Sequence, residues 1–534
     1  MVMGRRKPLQ EQMFARPVRG AGHKFYEALN ALLAEALFDE FVERLCAPHY
    51  GAADEPGRPS IPPGVFFRML LVGYFEGIGS ERGIAWRCAD SISLRDFLGV
   101  PLHVPTPDQS ILSRTRKRLP ASVFDEVFRK ILGIVKAKGL LKGRVRGVDS
   151  TYLKADASMK TIVRKDTGEE YGDYVKRLTA EDQDAGSLAE GADDDDGGAP
   201  PTNDASPAPE QGASQPEQDA TPPDAAQPEQ DAAQPEQSAA RPSKPSRKVT
   251  AEEAVRHDRR RKKTTSNKDW CSPTDPDSRI ARMKNGTTRL AYKPEHVVDL
   301  ETGVILGIEV FLGDEHDAAT LERSLAGAEK NIAALRDDVD ETEPVGEPWH
   351  KEPIAEVVAD KGYHKVSTLL ALKEQGYRTF IPERKQHGRR KFTDKGGAAA
   401  AQAFHGNRAR TLRAKGKAHQ RRRGELLERP NQHLYCRTGV RNLTLTGHEQ
   451  VRKRVLVQAM GFNLGAVLRK SLGAGAPKWF SVLAGRLAAL WFAFWSTCRA
   501  RRRYDWSPVA ANLRASTRAI GTLAVESELS PSVC

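Results

Sequence analysis

Arg144–Leu153 reads RVRGVDSTYL and 354–360 reads IAEVVAD. Val145, Val148, Thr151 and Tyr152 make the first stretch a strand, with Asp149 within or just after it. The second is a short apolar strand that ends at Asp360. Working outward, 289–299 (RLAYKPEHVVD) and 304–312 (VILGIEVFL) flank the turn Leu300-Glu301-Thr302-Gly303 and predict a hairpin. Residues 315–335 place Leu321, Leu325, Ala328, Ile332 and Leu335 at alternating spacings of four and three, which is an amphipathic helix. A helix over 367–375 and a strand over 377–382 (YRTFIP) follow. The order is strand, insert, hairpin, helix, strand, helix, strand, then helices. It specifies an α/β fold, a mixed sheet with helices against it.

Upstream, residues 17–140 read as helical. One amphipathic helix is expected over 25–45, and a second opened by Pro62-Pro63. Short helices follow at 80–88 and 91–98. Thr106-Pro107-Asp108 then caps a helix, DQSILSRTRKRL, that carries Arg114, Arg116, Lys117 and Arg118. Short helices ending in a basic one fit a helix-turn-helix module, and equally an ordinary bundle with a solvated basic face.

The chain has 534 residues and a net charge of +13. Residues 181–240 hold 16 acidic residues and no Lys or Arg, so the remainder is more basic still and suits a polyanionic partner. The stretch 181–249 repeats QPEQ at Gln215, Gln227 and Gln234 and lacks large apolar residues, the composition of a disordered segment. The six cysteines form no C-x-x-C pair, so neither a zinc site nor a disulfide framework is indicated. The first residues have charge but no apolar run of the secretory type. Residues 479–497 (WFSVLAGRLAALWFAFWST) approach a membrane-spanning length, but Arg486 lies inside. At ~2.5–3.5 kcal/mol for a central Arg, a buried or oligomer-forming helix is the better reading. No phosphate-binding G-x-x-x-x-G-K-[ST] occurs, so ATP use is unsupported.

Carboxylates at the strand ends of a mixed sheet can converge on one point, where hard Mg²⁺ ions take oxygen ligands. Two such ions ~3.5–4 Å apart stabilise both the attacking and the leaving oxygen at a phosphorus. A single strand-end aspartate is more often a cap, so the local wording matters. Gly147-Val148-Asp149-Ser150-Thr151 is followed by Lys154-Ala155-Asp156-Ala157-Ser158. Later come Ser272-Pro273-Thr274-Asp275-Pro276-Asp277, Leu290-Ala291-Tyr292-Lys293 and Val358-Ala359-Asp360-Lys361-Gly362-Tyr363. The last group is Glu425-Leu426-Leu427-Glu428-Arg429-Pro430, the run 441–447, Val451-Arg452-Lys453-Arg454 and Gly461-Phe462-Asn463-Leu464.

Together with the helical stretch from Pro63 to Leu119, these segments resemble the bacterial insertion-sequence DDE transposases, whose catalytic domain is RNase H-like. The resemblance spans roughly 60–160 and 268–470. It implies a metal-binding catalytic triad of Asp149, Asp360 and Glu428, holding two Mg²⁺ ions for which Mn²⁺ can substitute. It implies metal-dependent DNA cleavage and strand transfer at the ends of an insertion sequence, on double-stranded transposon-end and target DNA. A homodimer or higher oligomer on DNA is expected, in the cytoplasm with the nucleoid, with no membrane partner. Arg114, Arg116, Lys117 and Arg118 are the candidate DNA contacts of the N-terminal domain. Lys361 and Arg429, each following an acid, either hold phosphate, orient a carboxylate or are merely solvated. The implied organisation is a flexible tail (1–16), a helical DNA-binding domain (17–140), an RNase H-like domain (141–180 and 250–475) split by the acidic insert (181–249), and a helical C-terminal region (476–534). Two other readings stay open: a DNA-binding relic or repressor without catalysis, and a nuclease that cuts without joining.

The third acid needs a choice between Glu425 and Glu428, one helical turn apart. Glu-Arg-Pro is the wording that matches the family. Because proline is tolerated in a first turn, a helix beginning just before Pro430 is expected, with Glu428 at its N-terminal end. His296, His316, His364 and His433 lack metal-ligand spacing and read as packing or surface residues, and Tyr363 reads as packing.

Overall fold

The computed structural model describes residues 3, 23–51, 60–177, 266–283, 285–337, 356–384, 392, 397–473, 475–477 and 491–496, and the Arg429 side chain lies outside that description. The acidic stretch 181–249, the basic runs 256–263 and 499–503, and most of 479–497 fall outside it too. Among the described residues no helix is long and apolar enough to cross a membrane.

The chain opens with α1 (Lys24–Glu35) and α2 (Phe38–Cys46), where a single helix was expected. Leu37 breaks it by adopting a left-handed backbone (φ 50), uncommon for a residue with a Cβ. The break swings Asp39 toward α3 (Pro63–Glu76), where Arg68 grips it through two hydrogen bonds of 3.0 and 2.9 Å. α3 starts at the expected proline and is buried all round. The helices α4 (Glu81–Asp90), α5 (Ile92–Leu98) and α6 (Gln109–Arg118) follow, then α7 (Ala121–Ala137), which buries Val123, Phe124, Val127, Phe128, Ile131 and Val135 along one stripe. As expected, Asp108 caps α6, its carboxylate accepting from the Ile111 amide at 2.9 Å.

The central sheet contains β1 (Val145–Ser150) and β2 (Leu153–Lys154) and, after the small two-stranded sheet of β3 (Val163–Arg164) and β4 (Trp270–Cys271), β5 (Arg279–Arg282), β6 (Thr288–Asp299), β7 (Ile305–Leu312), β8 (Glu356–Ala359) and β9 (Arg378–Phe380). Its spine runs β7-β6-β1-β8-β9. β6 lies antiparallel to both β7 and β1, whereas β8 lies parallel to β1 and to β9. This mixed α/β sheet, antiparallel on one side and parallel on the other, is the RNase H-like arrangement the sequence implied. One face carries α8 (Asp317–Asp337), packed on β6 and β7. After α9 (Val366–Glu374) and α10 (Gly397–Leu412), α11 (Ala414–Asn431) covers the ends of β1 and β8.

The last long helix, α12 (His448–Leu472), packs against α3, α7 and β7 and so joins the N-terminal helices to the sheet. The cationic run in its first turns supplies the ties. Arg452 bridges Asp125 of α7 (2.7 Å) and Glu309 of β7 (3.2 Å). Lys453 donates to the Arg116 carbonyl, and Arg454 to the carbonyls of Ile78 and Gly79. Residues 160–177 and 266–270 belong to a separate unit. Its described part centres on Trp270, with Tyr171 and Tyr174 edge-on at 5.4 and 5.1 Å and the Arg164 guanidinium 5.9 Å from the indole.

Candidate active site

β1 and β8 run in parallel with Val148 opposite Ala359, so the next residues are neighbours: Asp149, still paired to β6, and Asp360, just past the end of β8. Asp149 is half-buried and accepts a 3.0 Å hydrogen bond from the Asn431 amide. Asp360 caps the short 3₁₀ turn Lys361–Tyr363, accepting from the Lys361 amide at 2.6 Å, and its side chain is 49% exposed. The Arg423 guanidinium stands 3.9 Å away.

Glu428 lies on the exposed side of α11, three residues before Asn431. The Asn431–Asp149 bond therefore fixes the helical turn that follows Glu428 against β1. Close packing is possible because residue 147 is glycine. A Cβ there would stand 2.6 Å from Leu300 Cδ2 and 3.0 Å from Leu427 Cδ1. The helix does not begin at Pro430 as expected. It runs from Ala414 through Pro430 to Asn431 and continues as a π-helical turn, Gln432–Cys436. Proline cannot donate to the Leu426 carbonyl, and the chain widens into the π turn straight after it. Glu428 thus sits near the C-terminal end of a helix, where the dipole favours a cation rather than a bare carboxylate. Among the described residues, no three of His, Cys, Asp and Glu are already gathered closely enough to hold a metal ion. Asp149 and Asp360 are brought together; Glu428 is brought to their edge.

The opposite face of β1 holds a polar cluster that sequence reasoning missed. Ser150 donates to Asp317 at 2.9 Å. The wholly buried Lys293 ammonium also reaches Asp317 (3.1 Å), together with the Glu315 carbonyl (2.8 Å) and the Thr320 hydroxyl (3.1 Å). Beside it, Glu295 accepts from the Thr320 and Tyr363 hydroxyls at 2.7 and 3.0 Å. Burial pushes the Glu295 carboxyl up to about 7, against those hydrogen bonds and the Lys293 charge. Lys293 and Glu295 are two apart on one strand and so share a face, a pairing visible in the sequence once β6 is assigned. Asn431 could have been found as the residue one turn beyond Glu428 on the same helix.

The remaining predicted residues divide. His296, opposite Asp149 on β6, is fully buried, which lowers its imidazole to about 4 and keeps it neutral. Tyr363 is buried packing, as expected, though its hydroxyl serves Glu295. Tyr435, in the π turn, is buried; desolvation and then the Asp149 charge push its hydroxyl up. Lys361 is exposed beside Asp360. On α6, Arg114 and Lys117 are exposed, and the Arg118 guanidinium covers the Tyr50 ring at 4.9 Å. Arg116, expected to be a DNA contact, is instead buried, ion-paired to Glu81 at 2.7 Å and bonded to Gln450 at 2.8 Å. Leu112, Thr115, Arg116 and Leu119 fall on the inward stripe of the helix, so four neighbouring cations cannot all face outward.

A mixed sheet of this order, with two aspartates on its central strands and the helix that carries Glu428 beside them, is the RNase H-like arrangement. Residues 18–118 match the family described as "Transposase domain (DUF772)", and residues 257–460 match "Transposase DDE domain". The chain belongs to the insertion-sequence DDE transposases. No curated protein and no solved structure matches it.

Proposed function

We propose that this chain cleaves DNA at the ends of an insertion sequence and joins the freed 3′-hydroxyl to target DNA, with Asp149, Asp360 and Glu428 as its metal-binding acids. The observation that carries the reading is that Asp149 and Asp360 directly follow the paired residues Val148 and Ala359 of two adjacent parallel strands, beside a helix end tied to Asp149 through Asn431. The donor set suits a hard divalent cation: carboxylate oxygens, one partly open to solvent, next to a helix end that favours positive charge. Two Mg²⁺ ions, when bound, would activate the attacking oxygen and neutralise charge on the phosphate.

The protein's own groups hold and orient. The Asn431 side-chain amide holds one oxygen of Asp149. The Lys361 amide fixes the rotamer of Asp360. Lys361, and Arg114 and Lys117 on α6, are exposed and would hold backbone phosphates. We further propose the domain division given above and an oligomer on DNA. A relic that binds without cutting is the second reading. It is favoured by one observation: Glu428 is not gathered with the two aspartates. Incubating the protein with Mg²⁺ and duplexes carrying the element's own ends separates them. Cleavage with joined product supports the first; retained end binding with no cleavage supports the second.

A further inference from the structure

Helix α11 carries a dense set of basic residues, and its two sides treat them differently. On the side that meets the sheet, Lys415 and His419 pair with Glu356, the latter at 3.0 Å. Gln420 donates to the carbonyls of Ala359 and Phe380, and Arg423 approaches Asp360. On the other side, Lys417 and Arg421 are exposed and have no described partner, as has Arg413 in the turn before the helix. At about 100° per residue, Lys417, Arg421, Gly424 and Glu428 fall within about 60° of one another. The stripe from Lys417 to Glu428 is about 16 Å long, and its far end is the segment that Asn431 ties to Asp149.

Gly424 is the second, independent observation. It sits inside the helix, where only proline is a poorer choice than glycine. A Cβ built there would meet nothing within 4 Å, so packing does not demand it. A glycine without an internal reason, between two unpartnered cations and a candidate catalytic acid, leaves room for the close approach of something from outside.

We infer that this outer stripe of α11 is a phosphate track, which holds the backbone of duplex DNA along Lys417 and Arg421, pressed against Gly424, and delivers it to Glu428. The inference rests on the proposed action on DNA. Phosphates spaced ~3.4 Å along the axis of each strand allow several to lie along the stripe.

The test is binding of a duplex to the full-length protein without added divalent metal, followed by fluorescence anisotropy across a salt series. Lys417→Ala with Arg421→Ala should weaken binding and make log K against log salt shallower by about two units, near one per lost phosphate contact. Lys415→Ala, on the inner side of the same helix, should leave the slope unchanged. Gly424→Leu should keep or raise the melting temperature, because leucine is the better helix former, yet weaken duplex binding several-fold. An unchanged slope in the double variant, or wild-type binding by a folded Gly424→Leu protein, overturns the track while leaving the proposed function standing. A wild-type protein that binds no duplex at all overturns both.

Discussion

At the scale of single residues, the site is set by neighbours of the acids as much as by the acids. Asn431 ties Asp149 to α11, and the Lys361 amide holds Asp360. Behind β1, Glu295 is the buried group most exposed to pH. Its carboxyl lies at about 7 in the folded chain against an ordinary 4.5, because burial penalises the charged form. Folding therefore favours the protonated acid. That contribution is complete below about pH 4.5 and is lost as pH rises through about 7. Glu295→Gln keeps an acceptor for Thr320 and Tyr363 but cannot ionise. Its melting temperature relative to the natural protein should rise steadily from pH 4.5 to 7.5. Parallel melting profiles over that range would show that the Glu295 carboxyl titrates alike in the folded and the unfolded chain.

At the scale of elements, α6 explains why a charge run is a poor guide by itself. Its inward stripe passes through Arg116, whose guanidinium is nearly enclosed by Glu81 and Gln450. Removing one partner of such a pair leaves an uncompensated buried charge, at a cost of about 3–5 kcal/mol. Arg116→Ala should therefore lower the unfolding free energy by that amount in a denaturant titration. Arg114→Ala with Lys117→Ala should leave the unfolding free energy within about 0.5 kcal/mol, and instead flatten the salt dependence of end binding by up to two units. The reverse pattern would place the DNA-facing side of α6 wrongly.

Periodicity made α8 legible in the sequence, because it buries one face at a regular spacing, whereas the hairpin and β8 were legible as apolar runs bounded by turn residues. The aspartates were legible because Asp149 lies near the end of a strand and Asp360 just past one. What could not be read depends on three-dimensional partners. Leu37 breaks a helix to let Asp39 meet Arg68, and Pro430 lies inside a helix whose next turn absorbs it. The Val451-Arg452-Lys453-Arg454 run marked the family in the sequence, yet only the fold shows that it fastens the N-terminal helices to the sheet. Asn463 is similar: its amide both donates to the Ile305 carbonyl and accepts from the Ile305 amide, each at 2.9 Å. Asn407 does the same for Ile381 at 2.8 and 3.0 Å, just past β9. The two outer strands of the spine thus each have a backbone unit satisfied by an asparagine from a helix.

At the scale of the whole molecule, the basic surface and the acidic stretch oppose one another in sign. Residues 184–246 contain few apolar side chains. Deleting them should leave the circular dichroism spectrum of the remaining chain and its melting temperature unchanged, and should tighten non-specific DNA binding by removing a competitor for the cationic faces. Loss of cooperative melting in the deletion variant would mean that the stretch belongs to the fold.

We propose that Glu428 completes a metal site with Asp149 and Asp360. This is tested most directly by cleavage of an element-end duplex in Mg²⁺, comparing the natural protein with Asp149→Asn, Asp360→Asn, Glu428→Gln and Glu425→Gln, with end binding and melting measured on the same samples. Glu425 and Glu428 are both exposed on α11, but only Glu428 lies one turn before Asn431 and its bond to Asp149. The first three variants should lose cleavage by at least a thousandfold while binding and folding persist, and Glu425→Gln should stay within about tenfold of the natural rate; these are order-of-magnitude expectations for losing a group that stabilises transition-state charge. Abolished cleavage in Glu425→Gln, with near-natural cleavage in Glu428→Gln, would contradict the account and move the third acid one helical turn toward the N-terminus.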